Sequence, residues 1–97
     1  MIEYLYNAIR ATANEDIVIT AKISTPTGEP VTSGTHIGIY NDKDERLVMV
    51  NGEVTEGVWE YQIPGALTAD LKGKYWYCIC CNNTHKSYCF KQPIYFI

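Results

Sequence analysis

Residues 73–97, GKYWYCICCNNTHKSYCFKQPIYFI, decide the fold. They read as two extended arms, 74–81 and 86–97, joined through Asn82-Asn83-Thr84-His85. Alternation puts Tyr75, Tyr77, Ile79, Tyr88, Phe90, Ile94 and Phe96 on one face. Trp76, Cys78, Cys80, Cys89, Lys91, Tyr95 and Ile97 fall on the other. A symmetric loop sets Tyr77 opposite Phe90 and Cys78 opposite Cys89, and a bulge would exchange part of that assignment. Both faces are rich in apolar and aromatic residues. One suffices for a core, so the other needs an occupant.

Upstream, residues 58–63 alternate and bring Trp59, Tyr61 and Ile63 together before Pro64-Gly65 closes the strand. Residues 66–72 fit a short helical turn or a crossing loop. Asn51-Gly52 lies between two strand-like arms, 47–50 and 53–56, and predicts a tight hairpin turn. The strand before it sets Thr35, Ile37 and Ile39 against His36, Gly38 and Tyr40, and ends in the polar turn 41–45. Thr25-Pro26-Thr27-Gly28-Glu29-Pro30 is a loop. Residues 16–24 form the clearest half-buried strand, with Ile17, Ile19, Ala21 and Ile23 on one side. At the N-terminus Ile2, Leu5, Tyr6, Ile9 and Ala13 satisfy helical spacing. The absence of a capping residue and the turn at 13–16 favour an extended strand broken near Asn7.

About seven short strands at turn-punctuated intervals predict one all-β domain over residues 1–97, an antiparallel two-sheet sandwich, with a single-sheet barrel as the alternative. The 97 residues, 46% hydrophobic and 20% charged, suit a single core. A net charge of −3 argues against a nucleic-acid partner, and no apolar run is long enough to span a bilayer. Residues 1–16 lack the order of a signal peptide, so the expectation is synthesis in a reducing cytoplasm with the cysteines as thiols.

The chemical leads are weak. Cys78, Cys80, Cys81, His85 and Cys89 could be zinc ligands, but residues on a strand do not converge tetrahedrally as turn cysteines do. A Cys78–Cys89 disulfide is the other possibility, and small apolar strand residues are the ordinary reading. Asp42, Asp44 and Glu45 lack the oxygen order and central glycine of a calcium loop. Asn82-Asn83-Thr84 matches a glycosylation sequon, which has no meaning without a secretory route. Neither His36 nor His85 can be placed beside a nucleophile and an orienting acid. The expectation is no catalytic residue, no metal and no cofactor. Trp76, Tyr95 and Ile97, with Tyr40 from a neighbouring strand, are left as the expected partner-binding patch.

Three stretches resemble the immunoglobulin-like class of sandwich: IRATANEDIVITAKI, Trp59-Glu60-Tyr61-Gln62-Ile63-Pro64, and Asp70-Leu71-Lys72-Gly73-Lys74-Tyr75. The last is similar to a tyrosine corner with one extra residue, and the paired core cysteines of antibody domains are not reproduced. More narrowly, the layout is similar to small immunoglobulin-like proteins and modules of tailed-phage virions. It runs from an I-x-I-T-A-x-I strand through P-x-G-x-P and W-x-Y-x-I-P to G-K-Y-W-Y-C. That resemblance implies a non-enzymatic virion protein, used in capsid decoration, neck, tail or baseplate. It would be made in the host cytoplasm and bind other virion subunits in several copies. A carbohydrate- or cell-surface-binding module is the alternative.

Overall fold

The computed structural model describes residues 2–5, 8–24, 27–31, 34–81 and 91–97. Nine strands are formed among them. They are β1 (Ile2–Leu5), β2 (Ala8–Ala11), β3 (Ile17–Ala21), β4 (Thr35–Tyr40), β5 (Arg46–Asn51), β6 (Glu53–Thr55), β7 (Val58–Ile63), β8 (Gly73–Cys81) and β9 (Gln92–Phe96). A six-stranded sheet in the order β1-β2-β9-β8-β4-β5 faces a three-stranded sheet in the order β3-β7-β6. The fold is therefore all-β and two-layered, as the strand spacing predicts, with more strands than expected. Every pairing is antiparallel except β2 with β9, which is parallel and sets Ile9, Arg10 and Ala11 beside Ile94, Tyr95 and Phe96.

The N-terminal segment is extended, with the break between Leu5 and Ala8 falling where Asn7 suggested. The core lies between the sheets. Ile9, Ala11, Ile37, Ile39, Val48, Ile94 and Phe96 meet Ile17, Ile19, Trp59, Tyr61 and Ile63 there. Each large side chain so buried contributes about 1.5–3 kcal/mol. The residues expected to point inward from 73–97 do so where they are described: Tyr75, Tyr77 and Ile79 pack against this core. Tyr75 meets Phe96 edge-on at 5.9 Å. The hydroxyls of Thr35 and Tyr61 share a 2.6 Å hydrogen bond across the interior, and the Trp59 indole N–H donates to the Val31 carbonyl at 2.8 Å.

Two expectations are corrected. The first concerns β8 and β9, which pair two residues further along than a symmetric loop requires: Tyr77 stands opposite Gln92, not Phe90. A slip of two keeps every side chain on its face, so the face assignment survives the change of register. Tyr88, Cys89 and Phe90 lie outside the described residues.

The second concerns Asn51-Gly52, which is not a hairpin turn. β5 belongs to the large sheet and β6 to the small one, so this dipeptide is where the chain changes layers. A Cβ on Gly52 would sit 2.5 Å from Tyr61 Cε1 and 2.9 Å from Trp59 Cε3, so close approach, not positive φ, selects glycine here. The tight turn is at Glu56-Gly57, with φ of 51° and 80°, between β6 and β7. After β7 a single 3-10 turn (Gly65–Leu67) carries the chain over the end of the sandwich. The Gly65 N–H donates to Asp16 Oδ1 at 2.8 Å and ties that turn to the start of β3.

Candidate functional site

The two outward faces differ in chemistry. On the small sheet, alternation from the buried Ile17, Ile19, Trp59, Tyr61 and Ile63 turns out Val18, Thr20, Glu53, Thr55, Glu60 and Gln62. That is a solvated, mostly polar face that also carries the exposed Val18 and the half-buried Val58. On the large sheet the outward residues form cross-strand rows. One row runs Arg10, Tyr95, Lys74 across β2, β9 and β8. The next runs Pro93, Trp76, Tyr40, Arg46 across β9, β8, β4 and β5. Beyond it Cys78, Gly38 and Met49 are aligned, then Cys80, His36 and Asn51.

The four residues expected to form a patch therefore share one face. Tyr40 and Trp76 are direct cross-strand partners. Tyr95 is 36% exposed and Ile97 60% exposed, while Tyr40 and Trp76 are half-buried. Ile97 is held by backbone bonds in both directions: its N–H donates to Ala11 O, and its carbonyl accepts from Ala13 N–H. The hydroxyl end of the Tyr40 ring lies over Gly38, where a Cβ would stand 2.8 Å from Tyr40 Cε2. A β-bulge opposite Tyr40 shifts the β4–β5 register and leaves Leu47 exposed. Sequence reading missed Arg10, Arg46 and Met49 as members of this face. The signal was the alternation of RLVMVN, obscured by treating residues 47–56 as a self-contained hairpin.

The rings on this face carry ammonium groups. Lys74 Nζ is 4.5 Å from the Trp76 ring centroid and Lys91 Nζ is 4.7 Å from that of Tyr40. Lys91 also pairs with Asp44. The turn bearing Asp44 is built by Asn41, whose Oδ1 accepts from the Lys43 and Glu45 N–H groups, each at 2.9 Å. Asn41, Asp42, Asp44, Trp76 and Lys91 line a shallow depression of 260 Å³.

Cys78 and Cys80 point outward with this face yet are buried, at 0% and 5% exposure. Both are disulfide-bonded, in contrast to the free thiols expected, and their partners lie outside what is described. Their own sulfurs are 3.4 Å apart, too far for a bond to each other. A disulfide sulfur carries no proton, so that approach is a van der Waals contact and not an S–H hydrogen bond. The Cys81 side chain, Cys89, His85 and the sequon residues lie outside the described residues. Among the described residues no group of three His, Cys, Asp or Glu side chains is placed to hold a metal ion. No described helix is long and apolar enough to cross a membrane.

No family model, no curated protein and no solved structure matches the chain.

Proposed function

We propose that this domain is an immunoglobulin-like sandwich serving as a non-enzymatic structural or accessory protein of a phage particle. It docks in several copies on other virion proteins (capsid, neck or tail subunits) through the outward face of its large sheet. One observation carries the reading: that face gathers Tyr40, Trp76, Tyr95, Ile97 and Met49, whereas the opposite outward face is polar. Aromatic residues, methionine and arginine are enriched at the centre of protein contacts, and carboxylates are depleted there. The immunoglobulin-like assignment is supported by strand order. β3, β7 and β6 stand in the order B, E, D, and β9, β8, β4 and β5 in the order G, F, C, C′. It departs from that class in the N-terminal strands, both of which join the large sheet, and in placing its buried tryptophan on β7.

The depression beside Trp76 favours a second reading, a sugar-binding module with Asn41, Asp42 and Asp44 accepting hydroxyl hydrogens. Sugars stack on open ring faces, and Lys74 and Lys91 lie over the rings that would serve. Protein docking is the stronger reading.

The test is velocity sedimentation of the chain co-expressed with phage capsid, neck and tail proteins. The expected result is recovery in the particle fraction, with Trp76→Ala returning the chain to the top of the gradient. A wild-type chain that stays at the top and is retained on a glycan column contradicts the proposal.

A further inference from the structure

Among the described residues β3 is an edge strand: β7 flanks it on one side, and both N-terminal strands belong to the large sheet. Its sequence, Ile17-Val18-Ile19-Thr20-Ala21, has high β propensity and contains no charge, proline or glycine. Natural edges of this kind are blunted by charges, prolines or bulges, and β3 has none of these within its length. Its pairing with β7 runs without a register shift. β5, one of the two edge strands of the large sheet, carries both a bulge and Arg46. Val18, the second residue of β3, is 45% exposed on a sheet face whose other residues are polar apart from the half-buried Val58.

We propose that β3 pairs antiparallel with β3 of a second copy about a two-fold axis at Ile19, joining the two small sheets into one continuous sheet. The register follows from the residues. Inward residues must meet inward residues, which restricts the pairing to slips of two. With Ile19 opposite Ile19, Ile17 meets Ala21 on the core side and Val18 meets Thr20 on the outer side, a pair of β-branched residues. The same register sets Asp16 opposite Lys22 at both ends. Both are exposed and lie just outside the strand. A slip of two in either direction loses both charge pairs and shortens the paired segment. Asp16 Oδ1 accepts from Gly65, and Oδ2 of the carboxylate can still accept from a lysine. An isologous contact of this kind closes on itself as a dimer. It uses the small sheet and leaves the aromatic face of the large sheet open, so it stands apart from the docking proposal.

The experiment is sedimentation of the purified full chain over a wide concentration range, with hydrogen exchange of the same samples. The expected result is a reversible dimer whose formation protects the amides of residues 17–21 in proportion to dimer fraction. Lys22→Glu, at an exposed position, sets two carboxylates together at each end and weakens the dimer about tenfold or more. A chain that remains monomeric into the millimolar range overturns the proposal. So does a dimer that protects β5 or the aromatic face in place of β3, or one that Lys22→Glu leaves unchanged. Particle binding lost in Trp76→Ala with dimerisation retained separates the two surfaces.

Discussion

At the scale of single residues, small groups decide how the layers meet. Gly52 occupies the step between sheets, where any Cβ would strike Tyr61 and Trp59. Gly52→Ala therefore forces those rings to move, and a loss of about 1–3 kcal/mol is expected in urea denaturation. The Thr35–Tyr61 hydroxyl pair is a buried polar bridge across the core. Tyr61→Phe removes one hydroxyl and strands the other, at a cost of about 1–3 kcal/mol. Thr35→Val added to Tyr61→Phe should cost less than the sum of the two single changes, because no orphan hydroxyl remains. Strict additivity in that cycle would show that the bond does not couple the sheets. Neither pairing was legible in the sequence, because both depend on which strands face one another across the layers. Period-two patterns name a face without naming its opposite.

Elements were more legible than their connections. The faces of β3, β4, β7 and β8 follow directly from alternation, since a strand with one buried side has little freedom of phase. Turn assignment failed at one place for a physical reason. Asn-Gly satisfies a hairpin of positive-φ residues, yet it also supplies a small residue where two rings crowd the backbone. The chain uses the second property at Asn51-Gly52 and builds its hairpin from Glu56-Gly57, where a glutamate sits at φ 51°. Left-handed geometry is costly for glutamate and mild for asparagine. Glu56→Asn should raise stability by up to about 1 kcal/mol, measured as a higher denaturation midpoint at unchanged slope. No gain would mean that Glu56 makes compensating contacts. The β8–β9 register was off by two because loop length was assumed symmetric. The face assignment survived because a slip of two preserves parity.

For the whole molecule, the sandwich has one polar outward face and one aromatic outward face, and the candidate site is a consequence of that asymmetry. Trp76, Tyr95, Ile97 and Tyr40 were legible as a group, because three lie on one strand pair and the fourth on a strand of matching pattern. Arg10, Arg46 and Met49 join them only through strand order, which local pattern does not encode. Arg10, Arg46 and Lys74 add positive charge to the aromatic face in a chain of net charge −3, while Lys91 is paired with Asp44. Docking through it should accordingly weaken as salt rises. The central claim, that this face is the contact surface, is tested most directly by hydroxyl-radical footprinting of the particle-bound chain. Trp76, Tyr95, Tyr40 and Met49 are expected to lose reactivity on binding while Val18 and Leu67 keep theirs. Bound chain in which Trp76 and Tyr95 stay as reactive as in the free protein would contradict it.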